Sequence, residues 1–207
     1  MSNIVVLGDS ITWHPVVGGL WCNSCGMAAS AAEKDWFNLA EAATPQHTWY
    51  CPTRDEADFG FVQIAARLPS IYSGTAVACV IVQAGEHGYS ATEGLRNEAE
   101  IASWLEVVGN FCRTKNARLA VLSRLIAPAP PYDPETGVGF IDRIFESATR
   151  YQNGDWIDLS YGVNAYADSS GDDPCNDPEL AAVQGHPNDL GHARVAAIVA
   201  SWVEAHL

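Results

Sequence analysis

A serine follows an early apolar run of this chain, and an aspartate and a histidine three residues apart stand near its far end. Ser10 lies in Gly8-Asp9-Ser10-Ile11-Thr12, directly after Ile4-Val5-Val6-Leu7, and the distant pair lies in Asp189-Leu190-Gly191-His192. An alcohol is a poor nucleophile until a base removes its proton. A histidine on the hydroxyl does this, and a carboxylate behind the ring fixes its tautomer and stabilises its cation. These three residue types therefore suit acyl transfer through a covalent serine intermediate. At the start of a helix, Asp189 and His192 would share one face.

The elements that must bring them together can be read from the hydrophobic pattern. Five apolar runs without period-two alternation, at 4–7, 48–51, 77–83, 119–123 and 156–159, read as buried parallel strands. Helical spacing separates them, at 27–43, 61–68 (ending before Pro69), 93–114, 140–150 and 190–207. Alternation of strand and helix predicts one α/β domain over residues 1–207, with a five-stranded parallel sheet covered on both faces. Ligands of such sheets bind beyond the carboxyl ends of the strands. Ser10 leaves the first strand there, and Gly85, Glu86 and His87 leave the third. The loop of residues 161–188 then delivers Asp189 and His192. Trp13, His14 and Trp21 follow the serine closely, as flat or polar groups suited to a substrate or, for the tryptophans, to packing.

Composition narrows the partners. Twenty-five acidic residues against 11 Lys and Arg give a formal charge of −14, which repels nucleic acid and anionic membrane surfaces. No apolar run is long enough for a membrane span. The first residues lack the basic and hydrophobic regions of an export signal, so the default expectation is cytoplasmic. No cofactor motif occurs: neither Gly-x-Gly-x-x-Gly, nor a phosphate loop with lysine, nor His-Glu-x-x-His. Cys22-Asn23-Ser24-Cys25 is a lone C-x-x-C without a second pair, which argues against zinc and leaves free thiols or a local disulfide. The acidic cluster Asp172, Asp173 and Asp177 lacks calcium-loop spacing and reads as a solvated loop. The proline-dense stretch 127–134 reads as a stiff loop.

Gly8-Asp9-Ser10-Ile11-Thr12 and His186-Pro187-Asn188-Asp189-Leu190-Gly191-His192 resemble the first and last signature blocks of the SGNH, or GDSL-type, hydrolases, in order, placement and strand context. The resemblance spans nearly the whole chain. It implies a three-layer α/β/α, flavodoxin-like fold and metal-free ester hydrolysis. It implies Ser10 as nucleophile, His192 as base, Asp189 as the carboxylate behind it, and the Ser10 N–H as an oxyanion donor. His87 stands where the family carries an oxyanion-binding asparagine; an imidazole N–H can donate there too. The family's glycine after the second strand is not evident in residues 51–56, and Gly26 is one alternative source of a backbone N–H. A narrower stretch, Trp21 with Gly26-Met27-Ala28-Ala29-Ser30 and Lys34-Asp35, is similar to members linked to bacterial glycan metabolism, which implies small acyl esters of carbohydrate. The alternatives are a lipase, thioesterase or acyltransferase with the same triad, or a glycan-binding module impaired in catalysis by the His87 replacement.

Overall fold

A computed structural model describes residues 2–14, 25–26, 29–55, 61–84, 98–123, 140–159 and 186–207. Strands β1 (Ser2–Gly8), β2 (His47–Tyr50), β3 (Cys79–Gln83), β4 (Arg118–Leu122) and β5 (Asp155–Ile157) form one sheet in the order β2-β1-β3-β4-β5. Every neighbouring pair is parallel. The helices are α1 (Trp36–Ala43), α2 (Pro52–Asp55), α3 (Phe61–Ile71), α4 (Glu98–Lys115), α5 (Phe140–Tyr151) and α6 (Asp189–His206).

The apolar runs form strands because both faces are covered. Val5 and Leu7 of β1, with Val80 and Val82 of β3, pack against α3, α4 and α5. Their neighbours Ile4, Val6, Cys79 and Ile81 face the other way, against α1 and α6. Two cores thus sandwich the sheet in three layers. Each fully buried leucine-sized side chain, such as Leu7 or Leu105, contributes roughly 1.5–3 kcal/mol. Burial pushes the Cys51 thiol up to about 11 and the Cys112 thiol up to about 12, so both pack as inert apolar groups.

The chain runs from β1 to β2 on one side and then returns to β3 on the other. The direction of winding therefore reverses between β1 and β3. In open parallel sheets that crevice is where ligands bind, and Ser10 leaves β1 directly into it.

Several elements differ from expectation, among them the short helix α2, which has no counterpart in the expected pattern. The helix expected over 27–43 begins only at Trp36, after a 3-10 turn at Ala32–Lys34. Asp35 is the reason: its carboxylate accepts the Asn38 N–H at 2.8 Å and caps α1. α3 passes Pro69 and ends at Ile71, since a proline in the last turn forfeits only one hydrogen bond. β5 is Asp155–Ile157, earlier and shorter than expected. Residues 27–28, 93–97, 127–134 and 161–185 lie outside the described residues. Among the described residues no helix is long and apolar enough to cross a membrane.

Candidate active site

Ser10 sits in a turn pinned to β3. The Asp9 N–H donates to the Gln83 carbonyl at 3.2 Å, and the N–H groups of Thr12 and Trp13 donate back to the Asp9 carbonyl at 3.0 and 3.1 Å. The Asp9 carboxylate accepts the Ile11 N–H at 3.3 Å, and the Thr12 hydroxyl donates to Gln83 Oε1 at 2.9 Å. From the far side, the Thr53 hydroxyl of α2 donates to the Gly8 carbonyl at 3.2 Å. Gly8 has to be glycine, because a Cβ would lie 1.9 Å from Thr12 Oγ1. The turn is thus held from three directions and presents a partly exposed Ser10.

The imidazole that meets this serine is His186. Its Nε2 lies 3.1 Å from the Ser10 hydroxyl oxygen. The Pro187 ring disfavours helical backbone at residue 186. Asn188 then caps α6, its side-chain oxygen accepting the Gly191 N–H at 3.0 Å. His186 therefore stands ahead of the helix, free of its hydrogen-bonded ladder.

His192, expected as the base, is placed elsewhere. It lies on the buried stripe of α6 with Val195, Val199 and Val203 and is 0% exposed. Its Nδ1 accepts the Trp36 N–H at 3.2 Å. Trp36 opens α1, so that N–H has no partner within its own helix. His192 satisfies this buried helix start, which leaves Nδ1 without a proton and puts the ring N–H on Nε2.

Asp189, expected behind that base, meets neither imidazole. Oδ1 accepts the Ser30 N–H at 2.7 Å. Oδ2 accepts the Ser30 hydroxyl at 2.7 Å and the Lys34 ammonium at 2.9 Å. Partial burial alone would raise the Asp189 carboxyl, but these bonds from Ser30 and Lys34 outweigh it and hold the group below the usual carboxylate range. Asp35 shows the opposite balance. Burial raises its carboxyl, despite the hydrogen bonds from Asn38 and Gly26.

Gly26, expected as a source of a substrate-facing N–H, donates that N–H to Asp35 Oδ2 at 3.2 Å. Its importance is steric. A Cβ there would lie 2.5 Å from the Ile11 carbonyl oxygen, and 3.0 Å from both Asp35 Cβ and His192 Cε1. Gly26→Ala is expected to cost about 1–3 kcal/mol, because backbone must shift; urea unfolding of the two proteins measures it. Trp13 is partly buried against the α1–α6 core, and its indole N–H is enclosed there, a packing position. His14 donates its backbone N–H to the Cys25 carbonyl at 3.0 Å in an isolated antiparallel bridge. Cys25 is a buried free thiol, pushed up to about 12 by burial and by the charges of Asp35 and Asp189. Gly85, His87, Trp21 and Cys22 lie outside the described residues. Among the described residues no three His, Cys, Asp or Glu side chains gather where they could hold a metal.

The contact of His186 with Ser10 is therefore one that the sequence analysis did not anticipate. Its signal in the sequence was present: a histidine before proline and a helix cap, while His192 falls in the apolar period of the helix.

No family model and no curated protein matches the sequence. Solved structures do resemble it. The chain is similar to an aryl esterase of M. smegmatis in an inhibitor-bound form, with 16% identity, a TM-score of 0.68 and 100% of both chains covered. It is similar to the acetyl xylan esterase AlAXEase, with 16% identity and a TM-score of 0.60, over 97% of this chain and 99% of that one. A member of the lipolytic protein G-D-S-L family from Veillonella parvula aligns over 100% of both chains, with 16% identity and a TM-score of 0.57. At these identities the likeness is one of fold: the α/β sheet described above is also the scaffold of these esterases.

Proposed function

We propose that the protein is a serine carboxylic ester hydrolase, with Ser10 as nucleophile and His186 as the base that activates it. The observation that carries this is the 3.1 Å approach of His186 Nε2 to the Ser10 hydroxyl, at the crevice between β1 and β3. In this reading His186 takes the hydroxyl proton as Ser10 Oγ attacks the ester carbonyl. It then returns the proton to the departing alcohol, leaving an acyl-serine. Water, deprotonated by the same ring, releases the acid. The Ser10 N–H and His87, which follows β3 in the chain, are the proposed donors to the oxyanion. The proposed substrate is a small acyl ester, acetyl on a carbohydrate. The glycine-to-lysine stretch around Gly26 and the fold shared with an acetyl xylan esterase support it.

An active-site serine phosphonate tests the nucleophile. The wild type is expected to be modified at Ser10 by peptide mass mapping, and Ser10→Ala is expected to stay unmodified. Hydrolysis of acetylated sugars, set beside p-nitrophenyl esters of increasing chain length, tests the substrate. A preference for long acyl chains would favour the lipase or thioesterase alternative. Absence of both labelling and hydrolysis would sink the hydrolase reading.

A further inference from the structure

We propose that Asp189 is a positioning residue: it holds His186 opposite Ser10 by fastening the front of α6 to Ser30 and Lys34, without touching an imidazole. The inference rests on the Ser10–His186 reading above. The Ser30 N–H and hydroxyl each meet one Asp189 oxygen at 2.7 Å. Lys34 closes the set by donating to Asp189 Oδ2 at 2.9 Å and to Ser30 Oγ at 2.8 Å. Two short bonds from one residue to both oxygens of a carboxylate fix its orientation as well as its distance.

Each end of this clamp leads to the reacting pair. On one side, His186 lies three residues before Asp189, across Pro187 and the cap residue Asn188, whose side chain is tied to the Gly191 N–H. On the other side, Ser30 belongs to the segment that packs Gly26 against the Ile11 carbonyl, and Ile11 adjoins Ser10. Asp35 holds the Gly26 N–H from behind. The contacts thus form a closed frame with the Ser10–His186 pair as one side and the Asp189 clamp opposite. Loosening the clamp lets the base drift, and a misplacement of about 1 Å costs on the order of 10²-fold in rate.

Hydrolysis of p-nitrophenyl acetate from about pH 5 to 9 by the wild type, Asp189→Ala, Asp189→Asn, Ser30→Ala and the double alanine variant tests this. Asp189→Ala is expected to lower kcat by about 10- to 100-fold with KM within about threefold. Asp189→Asn can still accept the Ser30 N–H and can donate to Ser30 Oγ, so it is expected to recover kcat to within about fivefold of wild type. Ser30→Ala is expected to resemble Asp189→Ala, with the double variant no worse than the more impaired single one. The pH profile of kcat/KM is expected to keep its midpoint throughout. If Asp189→Ala fails to fold, as judged by its thermal melt, Asp189→Asn and Ser30→Ala decide the matter. A loss of about 10⁴-fold in Asp189→Asn, with a displaced pH midpoint, would show a carboxylate acting on the imidazole itself and overturn the proposal. Wild-type kcat in both Asp189→Ala and Ser30→Ala would overturn it too. An inactive wild type would overturn the underlying Ser10–His186 reading and this one with it.

Discussion

His186→Ala is expected to lower kcat/KM for p-nitrophenyl acetate by ~10⁴-fold or more, while its thermal melt stays near that of the wild type. The two halves of this expectation have separate causes. In the proposed mechanism the rate depends on the only imidazole seen against the Ser10 hydroxyl among the described residues, at 3.1 Å. Without it the alcohol proton has no acceptor as the carbonyl is attacked, and what remains is binding and oxyanion stabilisation. Stability depends little on His186, because it stands ahead of α6 and is only partly buried. Steady-state kinetics and circular dichroism melts measure the two quantities. Retained activity in this variant would remove His186 from the mechanism.

His192→Ala is expected to do the reverse, costing roughly 3–5 kcal/mol of stability through a cavity and an orphaned donor together. For a domain of this size that lowers the melting temperature by on the order of 10 °C. The ring is 0% exposed, packed beside Gly26, and its Nδ1 receives the Trp36 N–H. Removing it leaves a hole between α6 and α1 and strips the first N–H of α1 of its acceptor. His192→Asn can place an amide oxygen near the position of Nδ1, so partial recovery of the melting temperature is expected. Urea unfolding at equilibrium measures both variants. A His192→Ala protein with unchanged stability but no activity would restore the assignment of this residue as base.

The contrast between the two histidines shows where reading the sequence ran out. The strands were legible because uninterrupted apolar runs such as Val5-Val6-Leu7 fit a sheet buried on both faces. The position of Ser10 followed from the end of β1, and α6 from its apolar spacing. That same spacing also takes in His192. It shares a face with Val195, Val199 and Val203, so it belongs to the core, whereas His186 precedes a proline outside the helix. The pull of an Asp-x-x-His pair outweighed that periodicity. The late start of α1 was legible in part, since Asp35 with Asn38 is a capping signal. The bond from Gly26 to Asp35 and the Asp189–Ser30 clamp were not legible. They join segments whose approach depends on tertiary packing, and no local pattern announces them.

The Ser10–His186 contact also has a consequence in time. The two residues are 176 positions apart in the chain. At ribosomal rates of about 5–20 residues per second, roughly 9–35 s separate the synthesis of the proposed nucleophile from that of its proposed base. Throughout that interval the serine is an ordinary alcohol, and closing so long a loop is among the slower events of folding. Ester cleavage by a nascent chain would therefore mark the docking of α6, which makes turnover a clock for the last stage of maturation.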